Sequence, residues 1–298
     1  MLDASWLWAL FTVIAAASQT VRNATQRELT TTLGTAGATH VRFLFGLPFA
    51  ALFLIAVVIV SGQALPRPPI SFWPWVLDGA LAQIAATALM LAAMNDRSFV
   101  VVYAYIKTEP VQVALFGLIF LGDKVRPLSA AAILITTIGV IVISLKPRTG
   151  AGTMRSTLIG LAGGTMFALS AISYRGAILS LGLSDFVLAA TFTVTVGLVI
   201  QAALLSAFLA LRDPEILRAI ARAWKPSLFA GFMGAFASEF WFLAFAITTA
   251  ANVRTLALVE VLFAQGVTRF VFKQPITQRE GIGIVLVVIG VALLVWAY

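Results

Sequence analysis

Apolar runs of about 20 residues, the length that crosses a bilayer as a helix, recur along the chain between short polar breaks. The pattern predicts ten helical spans, at roughly 5–25, 38–60, 72–94, 98–121, 128–145, 156–179, 185–210, 227–248, 250–271 and 279–297. Turn residues and charges mark connections at Gln63–Pro69, Asn95–Arg97, Asp123–Pro127, Lys146–Arg155 and Arg212–Pro226. No connection accommodates a soluble domain, so the expected fold class is an all-α integral membrane protein. An even number of spans puts both termini on one side. The first span starts almost at once, without a basic leader or a cleavage site, and reads as retained.

The chain also repeats itself. Sliding it by 151 positions pairs Ser5 with Ser156, Gly46 with Gly197, Arg67 with Arg218, Trp73 with Trp224, Glu109 with Glu260 and Gly139 with Gly290, without a gap. Trp, Arg and Glu in one register are hard to obtain from apolar composition alone. Two repeats of five spans follow, 1–147 and 148–298, forming one transport unit. An odd number of spans makes the halves enter the membrane in opposite directions, an inverted-topology repeat, and such repeats place a substrate site at the midplane between them.

The most informative stretch is Val100–Asp123, which is long enough to span yet carries Lys107, Glu109, Pro110 and Gln112 near its middle. A carboxylate at membrane depth is costly unless it faces a partner or a wet cavity. Pro110 lacks an N–H and bends the helix, so it is the expected helix break. Tyr105, Glu109 and Gln112 share a face at helical spacing, with Lys107 pointing nearly the other way. In the second half the matching face is Leu256, Glu260, Phe263 and Val267, with Arg254 elsewhere. Glu109 and Glu260 are the candidate central carboxylates, lining or gating a cavity and available to a coupling proton; the alternative is structural ion pairing. Gln19, Gln83 and Glu239 lie deep in their spans and are candidate lining. Tyr103, Tyr105, Tyr174 and Trp241 offer apolar walls with hydrogen-bonding tips, suited to amphipathic solutes such as amino acids; packing aromatics are the other reading. Arg22, His40, Arg42, Arg175 and Arg254 lie nearer span ends, where long side chains can snorkel to water; a topological role and a functional one are the two readings. Gly160-x-x-x-Gly164 and Gly231-x-x-x-Ala235 are small-residue stripes for close helix packing. Pro214–Lys225 predicts a short amphipathic helix on the headgroups, with Leu217, Ile220, Ala221 and Trp224 on its apolar face.

Composition sharpens this picture. The chain is 61% hydrophobic and 11% charged, against about 45–50% and about 25% for ordinary globular domains. Its net charge of +8 sits between apolar runs, as topology signals do, and not on a nucleic-acid-binding face. The connections after spans 1, 3, 5, 7 and 9 hold most of the Lys and Arg, from Arg27 to Arg279, while the opposite side has Arg67, Lys124 and Arg126. The positive-inside rule then puts both termini on the non-cytoplasmic side. Cysteine is absent and His40 is the single histidine, which excludes disulfides, thiol catalysis and His-rich metal sites. With no Gly-x-Ser-x-Gly or P-loop in a suitable context, no enzyme activity, cofactor, metal or direct ATP drive is expected.

The two-times-five plan, Thr108-Glu109-Pro110-Val111 in span 4 and Gly122-Asp123 closing it resemble the drug/metabolite transporter superfamily, and more closely its EamA-type ten-span exporters. The second half keeps Glu260-Val261 and Gly290 but lacks the proline, and has Lys273-Gln274 where Gly-Glu is expected. The resemblance implies an inner-membrane secondary transporter exporting small metabolites by alternating access. Within the family the YddG-type aromatic and neutral amino-acid exporters are similar in length and plan. An effluxer of cationic drugs is the alternative, with a passive channel or an intramembrane enzyme further off. Ten spans enclose a complete pathway, so a monomer suffices; the expected partners are a small-molecule substrate and lipid. The superfamily is often drawn with cytoplasmic termini, opposite to the charge count.

Overall fold

The computed structural model describes residues 6–96, 106–144, 154–263 and 277–297. Among these the chain is nearly all helical, with no strand. The first helix, α1 (Leu7–Leu44), consists of two arms joined at Gly34, whose φ of 65° and ψ of 177° belong to a region that essentially only glycine occupies. The sequence pattern places a connection from 26 to 37. The helix instead continues through Arg27 and Glu28 to Leu33 and turns sharply at Gly34, and Gln26 Nε2 donates to the Ala38 carbonyl across the turn at 2.8 Å. Span 2 is interrupted at Phe45–Gly46 before α2 (Leu47–Ser61) resumes. The interruption lies against the small-residue stripe of the second half, where a Cβ on Gly231 would meet Phe45 Cβ at 2.4 Å.

The rest of the first half is α3 (Phe72–Asp96), α4 (Glu109–Phe116) and α5 (Pro127–Ser144). A π turn, Gly117–Leu121, extends α4 and ends at Gly122 in the left-handed conformation. The second half comprises α6 (Met154–Ser180), α7 (Phe186–Arg212), α8 (Pro214–Arg222), α9 (Trp224–Ile247), α10 (Ala250–Leu256) and α11 (Gln278–Ala297). The Asp185 carboxylate caps α7, accepting from the backbone N–H groups of Val187 and Leu188. The short α8 forms as its pattern requires, but its inward side is Ile216 and Ile220, docked against Gly37, with Leu217 half-buried, while Ala221 and Trp224 are exposed. The proposed repeat boundary at 147/148 lies outside the described residues.

Helix packing follows the repeat. The most extensive contacts are α1 with α9, α3 with α6 and α5 with α11. The 151-residue shift carries α1 onto α6 and α3 onto α9, so the first two contacts are one contact made twice. α5 with α11, and α2 with α7, pair each element with its own counterpart across the pseudo-two-fold axis. The outer surface is apolar: Leu52, Ile55, Ile59 and Val60 on α2, and Val285, Val288 and Trp296 on α11, are exposed. Such surface is at home in lipid and not in water. Trp73 and Trp224, equivalent in the repeat, sit exposed at the starts of α3 and α9, where the ring suits the headgroup boundary.

The α5–α11 contact brings backbone to backbone. A Cβ at Gly290 would lie 2.1 Å from Thr136 Oγ1 and 2.8 Å from the Thr136 nitrogen, whereas one at Gly281 on the same helix would meet nothing within 4 Å. Gly290→Ala is expected to destabilise the protein by about 1–3 kcal/mol through overpacking. Gly281→Ala is expected to be neutral or to stabilise by up to about 1 kcal/mol through helix propensity. Thermal unfolding of the two variants in the same detergent checks the difference.

Candidate functional site

Both halves break a helix at the same repeat position. In the first, Ile106 is helical, Lys107 and Thr108 form a turn, and α4 restarts at Glu109 with Pro110 in its first turn. There a missing N–H costs no intrahelical bond. In the second, α10 tightens into a 3₁₀ turn at Ala257–Val259 before helix resumes at Glu260. The two symmetric glutamates are thus the first residues of two restarted helices, the end where the helix dipole favours an anion. The expected break at Pro110 occurs on its N-terminal side, and its counterpart needs no proline.

Two cations beside the breaks face the opposite repeat. Arg254 Nη1 lies 3.3 Å from Glu109 Oε1, and Lys107 Nζ is in contact with Glu260 Oε1. All four side chains are at most 6% exposed. Each glutamate is therefore paired with a cation from the other half. The Arg254 guanidinium also lies over the Trp241 ring, 4.4 Å from its centroid, a cation–π arrangement, while Trp241 Nε1 donates to Gln19 Oε1 at 3.1 Å.

Above these pairs the halves enclose a cavity walled by Phe167, Tyr174, Trp241, Phe242 and Phe245, with Gln19, Arg42, Gln83, Ser170 and Arg254 supplying polar groups. It has about 10 Å³ open to the centre of a water molecule, room for about one water. A second space of about 10 Å³ is bounded by Gln19, Asn23, Lys107, Glu109 and Arg254. The centre is therefore closed. Tyr174 is slotted between two glycines: a Cβ at Gly79 or at Gly197 would approach its ring or hydroxyl to 3.0 Å.

Of the residues singled out by sequence, Gln19, Gln83, Tyr174 and Trp241 line the upper cavity and Glu109 the lower. Glu260 is joined to that group through Lys107. Glu239 faces away toward α7, where Thr191 Oγ1 is hydrogen-bonded to its Oε1. Gln112 is half-buried and lines neither cavity. Tyr105 and Tyr103 lie outside the described residues. The expected face shared by Glu109 and Tyr105 presumed one continuous helix, and the turn at Lys107–Thr108 interrupts it. The snorkelling expectation fails outright: Arg22, His40, Arg42, Arg175 and Arg254 are all buried. Arg42 Nη1 instead donates to Thr87 Oγ1 at 3.1 Å. Arg175 donates to the carbonyls of Phe245 and Thr248 and reaches Asp123, with Nε 3.5 Å from Oδ2. Sequence reasoning also passed over Gln201, whose Nε2 donates to Gln83 Oε1 at 2.9 Å. An amide in the middle of an otherwise apolar span was the available signal.

Fold and site together define a polytopic membrane protein of two inverted halves that enclose a charged, nearly dry centre. The chain belongs to the EamA-like transporter family, whose model matches it twice, over residues 6–145 and 154–296. It is therefore a multi-pass transporter acting on small molecules in a lipid bilayer, and its family is one of transporters, not enzymes. No curated protein matches the chain. A solved crystal structure described only as that of a protein is 16% identical, with a TM-score of 0.70, over 98% of this chain and 96% of its own; it shares the fold.

Removing one partner of a buried ion pair strands the other in a low dielectric, at a cost of about 3–5 kcal/mol. Glu109→Ala and Arg254→Ala are each expected to lose stability on that scale. The Glu109→Ala/Arg254→Ala double variant is expected to lose less than the sum of the two single replacements. A double-mutant cycle by thermal or denaturant unfolding measures the coupling.

Proposed function

We propose that this chain is a secondary transporter that exports small metabolites, aromatic or neutral amino acids first among them, across the inner membrane by alternating access. Repeats 1–147 and 148–298 act as one transport unit around a midplane cavity. The observation that carries the reading is the crossed pairing of Glu109 with Arg254 and of Glu260 with Lys107 beneath a closed cavity lined from both halves. Contacts that run between halves can be exchanged when the halves rock, whereas contacts within a half cannot. Aromatic walls with amide and hydroxyl tips suit a solute having an apolar part and a polar head. The charge distribution supports cytoplasmic placement of the Arg-rich connections, with both termini outside.

An effluxer of organic cations would use buried carboxylates as counter-charges. Weighing against it, both central glutamates already face basic partners. Glu239 differs: its Oε2 has no hydrogen-bond partner among the described residues, which makes it the carboxyl available to a coupling proton.

The test is counterflow in proteoliposomes loaded with one unlabelled amino acid at a time. The expected result is saturable, transient uptake of the labelled form, with net flux driven by a pH gradient. Glu239→Gln is expected to retain counterflow and lose most of the gradient-driven component. Absence of counterflow for every amino acid, with folded protein, would remove the amino-acid reading.

A further inference from the structure

The hydrogen bonds around the upper cavity leave it with donors to spare. Gln19 Oε1 is occupied by Trp241 Nε1, and Gln83 Oε1 by Gln201 Nε2, so each amide keeps its NH₂ for a ligand. Arg42 comes from the second arm of α1, is 2% exposed and lines the same space. Its Nη1 is held by the Thr87 hydroxyl, which in turn donates to the Gln83 carbonyl at 2.8 Å. Its Nε has no hydrogen-bond partner among the described residues. Among the described residues no carboxylate lines this cavity, and no ion pair involves Arg42. The other lining guanidinium, Arg254, is engaged by Glu109 and covered by Trp241.

A buried guanidinium without an acid partner is costly, and residues of this kind at membrane depth mark substrate sites. Thr87 is a neutral anchor: it fixes the direction of the fork without neutralising its charge. We infer that Arg42 receives an anionic group of the substrate, so that the transported molecule is a carboxylate or similar anion joined to an apolar or aromatic body. The Gln19 and Gln83 amides complete the cradle, and Trp241, Phe242 and Phe245 face the apolar body. This inference rests on the transporter reading and narrows its substrate class: an amine without an acid group is disfavoured, whereas an amino acid and a plain organic acid both satisfy Arg42.

Three compounds with one ring separate these cases: L-phenylalanine, 3-phenylpropanoate and phenethylamine. Their binding to the full-length protein in lipid nanodiscs is measured by calorimetry and paired with counterflow in proteoliposomes. The expected result is that the two carboxylates bind and phenethylamine binds at least about tenfold more weakly, the scale of one charged hydrogen bond. Arg42→Gln is expected to lower carboxylate affinity by about 10- to 100-fold and abolish the preference, while Arg42→Lys keeps part of it. Should Arg42→Gln fail to fold, the wild-type preference and the Lys variant decide. Binding of 3-phenylpropanoate without phenylalanine upholds the anion site and removes the amino-acid reading. Carboxylate binding with no counterflow upholds the site and removes the carrier. Phenethylamine binding as tightly as the acids, no binding by any of the three, or unchanged acid affinity in a folded Arg42→Gln variant overturns the inference.

Discussion

A charge inside this protein has no water to return to, and the centre of the molecule is arranged around that constraint. Lys107, Glu109, Arg254 and Glu260 are all nearly inaccessible, and each is tolerable only because an opposite charge stands beside it. The partners come from opposite repeats, so separating the halves would leave all four of these charges without their partners. Burial of charge and association of the halves are one physical event. The apolar exterior contributes little to holding the halves together, because lipid is as good a neighbour for Leu and Val as another helix. Specific polar contacts and close backbone packing take that role, as at the α5–α11 crossing.

The helix breaks make the crossed pairing possible. In an unbroken helix Lys107 and Glu109 would point in nearly opposite directions, yet both meet residues of the other half, Glu260 and Arg254. The turn at Lys107–Thr108 and the 3₁₀ turn at Ala257–Val259 re-aim both side chains. Irregular backbone at this depth is tolerable where protein or a cavity surrounds it: Lys107 borders an enclosed space, and Ala257 and Leu258 are buried in protein. Proline is a convenience at such a break, since the second half makes one without it.

Much of this was legible in the sequence because the bilayer imposes a length and the repeat imposes a register. Spans, inversion and the central glutamates follow from counting apolar residues and matching Glu109 with Glu260. The partners were not legible. Helix-face reasoning treats each span as one rigid cylinder, which put Tyr105 and Glu109 on a shared face and Arg254 off the face of Glu260. Snorkelling was assigned to Arg42 and Arg175 by distance from the span ends, but α1 runs on to Leu33 and turns at Gly34, carrying Arg42 inward. The signal for that turn, a single glycine among threonines, is one of many glycines in the chain, and only its backbone angles distinguish it.

Arg175 ties the end of α9 to Asp123 through two carbonyls and a carboxylate. The residues standing 151 positions away in the repeat are Ala24 for Arg175 and Gln274 for Asp123. Two halves of identical sequence would make the same contacts at both ends of the bundle, and those ends would be equal in energy. One arginine opposite an alanine breaks that degeneracy. The clasp from Arg175 to Asp123 and the end of α9 has no arginine to repeat it at Ala24, so duplication of the sequence leaves the two ends of the bundle unequally fastened.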